Sequence, residues 1–195
     1  MRLENRLHEK RKDILKRWFD CVVQTYPEDT SRFLKTKKDP FANPVGNTFL
    51  RGFEAIFDEL LKGLNHESLS SFLYPIIRIL AIQNFSPSKA ISLFIVLKNV
   101  IREIIKTEIQ DIDSTYEILE FESRIDELCL VAFDIFMECR EKIYELKANE
   151  MRGSVMKAFM RAGLVKPVDD DTDFKTGVDS LLSPMNKIPD IDLNK

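Results

Sequence analysis

The sequence predicts an all-α fold, a helical bundle of five or six helices that ends in one long helix. Apolar residues recur at helical spacing in nearly every segment up to Gly163, and no segment shows the sustained alternation of a β-strand. Glycine is scarce, with 6 residues in 195, which disfavours a turn-rich sheet protein. Hydrophobic residues make up 44% of the chain, enough for one buried core. We expect a helical domain over residues 1–163.

The first two helices are predicted from an apolar stripe and a proline. We expect the first helix over residues 4–25, because its apolar side chains share one face. The stripe comprises Leu3, Leu7, Ile14, Leu15, Trp18, Phe19 and Val22. Tyr26-Pro27 ends this helix, since the residue before a proline avoids the helical region. A short helix is predicted over residues 28–37.

Two proline-containing caps predict where the central helices begin. Asn43 before Pro44 is a favourable N-cap and first-turn pair, and the helix that it opens should end at Gly63. A fourth helix is predicted over residues 68–84, with a kink at Pro75. Ser86-Pro87 caps the next helix, which we expect to reach residue 110 and to lie in the middle of the bundle.

The last helix is predicted to be the longest. Ser114 and Glu117 match a capping box, in which each side chain binds the other residue's amide. Gly163 is the predicted stop. An apolar heptad pattern follows the cap, and with Trp18 it should enter one core. Its members are Ile118, Phe121, Ile125, Leu128, Ala132, Ile135, Cys139 and Leu146.

Residues 164–195 are predicted to be an acidic, mostly disordered tail. They contain 4 Lys and 7 Asp, which gives 4 − 7 = −3, and several prolines. Val178, Leu181, Leu182 and Met185 are spaced like one face of a short helix. We expect this apolar island to dock into a partner's groove, although packing against the chain's own bundle is an open alternative.

Composition and ligand types argue against several functions. The net charge of −3 gives no strong field for nucleic acid, and the apolar stretch 91–97 is too short to span a bilayer. Three scattered cysteines and the lack of a signal peptide favour the cytoplasm. Only His8 and His66 are present, and no Gly-rich phosphate loop or nucleophile elbow occurs. We predict no catalytic residue, no metal site and no cofactor.

One polar cluster remains as a candidate site. Arg78, Gln83, Asn84, Ser86 and Arg102 lie on or beside the two most apolar predicted helices. A buried arginine must be paired, so these groups can form internal ion pairs and caps, with partners such as Glu54 or Asp58. The alternative is that they form the polar end of a pocket for a small molecule or an anion.

Several strings in the sequence point to one family. They are Trp18-Phe19-x-x-Val22 with Tyr26-Pro27, Asp39-Pro40-Phe41-Ala42-Asn43-Pro44-Val45-Gly46, Arg78-Ile79-x-Ala81-x-Gln83-Asn84-Phe85-Ser86-Pro87-Ser88-x-Ala90 and Leu97-Lys98-x-Val100-Ile101-Arg102-Glu103. Together they resemble the N-terminal domain of RsbRD-type co-antagonists of RsbT, a bacterial stressosome family, over roughly residues 10–150. The resemblance implies a sensor-type input domain, loosely similar to globins but without haem, and often dimeric. In multidomain relatives the last helix leads into a STAS output domain, which we do not expect after residue 163 in this sequence.

We interpret the sequence as a non-catalytic, cytoplasmic regulatory domain. It would bind a ligand or a protein partner and relay that binding through its C-terminal helix. We also expect a homodimer through the first or last helix. The alternative is a structural adaptor or assembly factor for a larger complex, with no ligand of its own. A closed apolar pocket with polar groups at one end would favour the sensor, and a solid core with an exposed apolar patch would favour the adaptor.

Overall fold

The computed structural model describes residues 3–36, 39, 41–106 and 112–164. Within these ranges the chain forms seven α-helices and no strand, which confirms the predicted all-α fold. The helices are α1 (Leu3–Glu9), α2 (Arg11–Val23), α3 (Glu28–Thr36), α4 (Pro44–Lys62), α5 (His66–Ile82), α6 (Pro87–Ile105) and α7 (Ile112–Arg161). None of the helices in the described ranges is long and apolar enough to cross a bilayer.

The predicted first helix is two helices, α1 and α2, separated at Lys10. The backbone of Lys10 has φ −95° and ψ 8°, outside the α-helical range. The apolar face continues across this break, since Leu7 and Ile14 are both buried. Helical periodicity cannot detect the break, because both pieces keep the same face towards the core.

The predicted cap of α4 is confirmed, and it also ties α4 to α3. Asn43 Oδ1 accepts a hydrogen bond from the Gly46 amide at 2.8 Å, and Asn43 Nδ2 donates to the Leu34 carbonyl at 2.9 Å. A Cβ atom on Gly46 would lie 2.3 Å from Asn43 Nδ2, so the position requires glycine. Asn43 is itself buried. One side chain therefore satisfies two helix ends in the interior.

The predicted capping box of α7 is wrong. The helix begins at Ile112, so Ser114 is its third residue rather than its N-cap. The Glu117 carboxylate accepts a hydrogen bond from the Leu3 amide at 2.9 Å, and Ser114 Oγ accepts one from Arg6 at 3.2 Å. The Glu117 carboxylate therefore binds an amide at the start of α1 and does not cap its own helix, because the first amides of α1 lack partners within that helix.

The core is built around Trp18. Its indole stacks on Phe53 with ring centroids 4.1 Å apart, and its Nε1 donates to the Leu93 carbonyl at 2.7 Å. Both polar and apolar parts of this side chain are therefore satisfied in the interior. The predicted heptad of α7 joins the same core from Ile118 to Cys139. Leu146 does not, since its side chain is 64% exposed.

The helix α6 is not enclosed on every side, contrary to the prediction from its apolar sequence. Leu93, Phe94 and Leu97 are buried, whereas Ile95 is exposed. An uninterrupted apolar run lacks a polar face, so it does not show which side meets the solvent.

The chain divides into two compact units, Met1–Ala148 and Asn149–Lys195. The core described above belongs to the first unit. In the second unit the structure describes residues 149–164, where α7 ends in a turn at Gly163, as predicted. Gly163 has φ +69°, and the Leu164 amide donates to the Phe159 carbonyl at 3.0 Å. The apolar island at Val178, Leu181, Leu182 and Met185 lies outside the described residues.

Two asparagine caps provide a matched test of the Asn43 contact. Asn43→Ala should lower the free energy of unfolding by about 2–3 kcal/mol, because it leaves buried backbone groups of α3 and α4 unpaired. Asn65 caps α5 through the Ser68 amide at 3.0 Å but is more accessible to solvent. Asn65→Ala should therefore cost only about 1 kcal/mol. Urea unfolding of both variants measures the difference, and equal losses would show that the bond to Leu34 contributes nothing.

Candidate functional site

The structure separates the five residues of the predicted polar cluster. Gln83 and Asn84 follow α5 and Ser86 is the N-cap of α6, so these three share one turn. Arg78 lies in the last two turns of α5. Arg102 lies 16 residues after Ser86 on α6, a distance of about 24 Å at the helical rise per residue. The cluster is therefore not one site, and whether any part of it binds a ligand stays a prediction.

The turn after α5 is a Schellman motif with asparagine in place of glycine. Asn84 has φ +58°, in the left-handed region that asparagine tolerates better than most residues. The Phe85 amide donates to the Leu80 carbonyl at 3.2 Å, and the Asn84 amide donates to the Ala81 carbonyl at 3.3 Å. Ser86 then caps α6 through the Lys89 amide at 3.3 Å. Much of the family string around Asn84 is thus explained by the geometry of one tight turn.

An arginine from α7 holds this turn in place. Arg140 Nη1 donates to the Ala81 carbonyl at 3.2 Å and to Asn84 Oδ1 at 3.0 Å. Its Nη2 donates to the Tyr144 hydroxyl at 2.5 Å. Arg140 is not among the residues predicted from the sequence, because periodicity does not reveal which helix end a charged residue beside an apolar stripe will contact.

Tyr26 contacts the same turn through a hydrogen bond and an aromatic contact. Its hydroxyl donates to Gln83 Oε1 at 2.8 Å, and its ring lies 5.4 Å from that of Phe85 and 6.4 Å from that of Phe49. Burial raises the pKa of Tyr26 to about 12. The Tyr26-Pro27 string therefore meets the string around Gln83 in space, where the turn after α2 contacts the turn after α5.

Arg102 forms an ion pair with a buried carboxylate. Its Nε and Nη2 atoms each lie 2.5 Å from an oxygen of Glu122 on α7, which is a bidentate arrangement. The Glu122 side chain is only 7% exposed. Asp58, one of the partners considered from the sequence, instead binds Arg11 at 2.7 Å. The internal ion pair expected for Arg102 is present, but its partner comes from a different helix.

Arg78 faces a surface groove between α5 and α7, the α5–α7 groove. Its volume is about 340 Å³. It is lined by Tyr74, Arg78, Ile82, Cys139, Lys142, Ile143 and Leu146. Of the five cluster residues, only Arg78 lines this groove.

Thiols and metal ligands offer little chemistry in the described part of the chain. Burial raises the pKa of Cys129 to about 11, and burial also raises the pKa values of Cys21 and Cys139. A thiol with a raised pKa is protonated at neutral pH and is a poor nucleophile or ligand. Among the residues that the structure describes, no three His, Cys, Asp or Glu side chains converge as metal ligands. That the purified protein carries no metal or haem stays a prediction.

The fold and these contacts define a class of protein. It is an all-α domain in which most side chains of the predicted polar cluster stabilise helix ends. The chain belongs to the family described as the RsbT co-antagonist protein rsbRD N-terminal domain, which matches residues 12–151. The resemblance in the sequence strings is thereby confirmed. The family is a stressosome-related signalling family.

One relative spans a similar length. A protein of Archaeoglobus fulgidus, described as an uncharacterized protein, is 30% identical over 146 residues, which cover 72% of this chain and 83% of the relative. No solved structure matches the chain. The extent of this match is close to that of the family domain.

The ion pair between Arg102 and Glu122 can be tested against an exposed ion pair between α2 and α6. Arg102→Gln should lower the free energy of unfolding by about 1–2 kcal/mol, because it leaves a buried carboxylate without its cation. Arg17→Gln, which removes the exposed contact to Glu103 at 3.2 Å, should change it by less than about 0.5 kcal/mol. Urea unfolding at neutral pH measures both. Equal effects would show that the burial of Glu122 has no energetic consequence.

The raised pKa of Tyr26 predicts a pH-dependent difference between the native chain and Tyr26→Phe. The folded state holds the phenol neutral up to about pH 12, whereas the unfolded chain releases the proton from about pH 10. The stabilising contribution of the neutral phenol is therefore complete below about pH 10 and is lost as the pH rises to about 12. At pH 7 the variant should be less stable by about 1 kcal/mol, because it lacks the hydrogen bond to Gln83.

The difference in unfolding free energy between the two proteins should narrow above about pH 10 and change sign before about pH 12, because the rise in the pKa of Tyr26 outweighs the contribution of one hydrogen bond. Gln83→Ala is the control, because it removes the acceptor and retains the phenol. Above about pH 10, the unfolding free energy of Gln83→Ala should fall with pH as steeply as that of the native chain. A gap for Tyr26→Phe that does not change with pH would contradict the assignment.

Proposed function

We propose that this chain is a non-catalytic regulatory domain that binds a ligand or a protein partner and relays the binding through its C-terminal helix, α7. Membership of a signalling family supports a regulatory role. The engagement of Gln83, Asn84 and Ser86 in helix ends supports a structural rather than a chemical use of these side chains. Family membership is the observation that carries the regulatory role, and the apolar surface of the last turns of α7 is the candidate surface for the output.

The C-terminal apolar face consists of Met151, Val155 and Phe159. These residues are spaced four apart, so they lie along one side of the helix. Their side chains are 69%, 51% and 44% exposed, respectively. Exposed apolar patches on a helix commonly mark protein interaction sites, and methionine adapts to varied partners. A protein bound to this face would contact α7 itself, so a change in the conformation of α7 would directly alter its binding.

A structural adaptor is the second candidate, and two observations favour it. The C-terminal apolar face is the kind of exposed patch that an adaptor uses. The α5–α7 groove of the first unit is lined partly by exposed side chains and is not closed within the core. A ligand that changes partner binding would support the regulatory domain, and partner binding that no ligand affects would support the adaptor.

Substitution of the C-terminal apolar face should remove partner binding without unfolding the chain. In Met151→Glu combined with Phe159→Glu, two exposed apolar side chains become charged. Thermal stability should change little, because neither side chain lies in the core. Affinity purification from the native host, followed by mass spectrometry, should show loss of the proteins captured by the native chain.

The control is Lys157→Glu, which changes charge in the same turns but not on the apolar face. Light scattering at micromolar concentration on the same samples tests the expected homodimer, for which a strict monomer would be the contrary result. If the double variant captures the same partners, the face is not the output surface. A chain cut after Lys166 then tests the other candidate, the apolar island of the tail.

A further inference from the structure

The α5–α7 groove has an apolar wall from each of its two helices. Tyr74 and Ile82 lie eight residues apart on α5 and share one side of it. Ile143 and Leu146 face them from α7. Tyr74, Ile82 and Leu146 are all exposed although each is large and apolar. Covering these side chains would remove a substantial apolar area from water, which is the usual source of affinity for an apolar ligand.

Two cations accompany these apolar walls. Arg78 and Lys142 both line the groove. Among the described residues, neither makes a hydrogen bond or an ion pair with a carboxylate. Both cations also affect the pKa of Cys139, which lines the same groove. Burial raises the pKa of that thiol and Glu138 adds to the rise, while Arg78 and Lys142 oppose it. No carboxylate lines the groove, so its lining has a positive charge of two.

We propose that the α5–α7 groove binds a small amphipathic acid, a molecule with one anionic head group and an apolar chain or ring. The head group would lie between Arg78 and Lys142, and the apolar body would cover the walls of the groove. The volume of 340 Å³ lies at the lower end of the range for small-molecule sites. Charge complementarity selects an acid over an alcohol or an amine of the same shape.

This ligand site extends the proposed function. A regulatory role for the groove rests on that proposed function. An occupant would bridge Tyr74 and Ile82 on α5 to Ile143 and Leu146 on α7. It would therefore bind most tightly to one arrangement of these two helices and would favour that arrangement. The ligand would act on α7, the helix that the proposed function assigns to output.

Decanoate is the probe, at concentrations at which it remains monomeric, with the full-length chain and isothermal titration calorimetry. We expect saturable binding with one site per chain. Decanol, which has the same apolar chain without the charge, should bind at least tenfold more weakly. Arg78→Gln combined with Lys142→Gln should weaken decanoate binding by tenfold or more, because two charge-assisted contacts are lost. Arg51→Gln removes an exposed cation that does not line the groove and should leave the affinity unchanged.

Reversal of the charge tests the site without relying on loss of binding alone. Arg78→Glu combined with Lys142→Glu should reject decanoate and bind decyltrimethylammonium instead. Leu146→Ser should weaken both ligands in their respective backgrounds. Circular dichroism checks that each variant remains helical. Absence of decanoate binding to the native chain overturns the proposal, as does equal binding to the native chain and the Gln double variant.

This experiment is independent of the capture of protein partners. If decanoate binds as expected but the C-terminal apolar face proves irrelevant, the groove stands and the proposed output surface fails. If partners bind through that face but decanoate does not bind, the proposed function stands and the groove proposal fails.

Discussion

The register between α5 and α7 is the constraint on which the rest of the first unit depends. His66, at the start of α5, lies 2.9 Å from Glu127, and the Ala81 carbonyl at its end accepts from Arg140 at 3.2 Å. Both contacts join positions about 60 residues apart in the sequence, so the two helices run side by side in the same direction. The pairs bracket α5 at both ends. An α5 shorter or longer by one turn could not make both contacts.

The helix α6 is fixed on α7 in the opposite direction by two ion pairs. Lys98 contacts Asp126 and Arg102 contacts Glu122, each at 2.5 Å, so a step of four residues forward on α6 is a step of four back on α7. The pair of Lys98 with the exposed Asp126 contributes little free energy by itself, whereas loss of Arg102 from the buried Glu122 costs more. Both pairs also select one register out of several that a purely apolar stripe would accept, because apolar contacts are not directional.

Most helix caps and the apolar stripes could be predicted from the sequence, because each depends on a few nearby residues; the capping box at Ser114 is the exception, since Glu117 binds the Leu3 amide of another helix. Asn43 before Pro44 and Gly163 after α7 are such local signals, and both are confirmed. The partners of charged residues could not be predicted in the same way. Arg102 finds Glu122 only after two helices have been rotated and aligned, and Arg140 finds the end of α5 for the same reason. The exposure of Leu146, which follows the polar Lys142 in the heptad series, also depends on where the neighbouring helix ends.

These contacts limit how α7 could carry the proposed signal. Sliding α7 by one turn moves it about 5.4 Å along its axis. Such a movement would break three contacts of α7 together: those of Arg140 with Ala81, of Asp126 with Lys98 and of Glu122 with Arg102. Such a movement would also pull the apolar stripe of α7 out of register with the core, at a cost that one small ligand could not offset. A change confined to the last turns of the first unit is cheaper, because in the described part of the chain Arg140 is the last residue of α7 with a hydrogen bond or ion pair to α5 or its turn. The proposed ligand would need only to alter the helix after Arg140, and the ion pairs before that residue could remain intact.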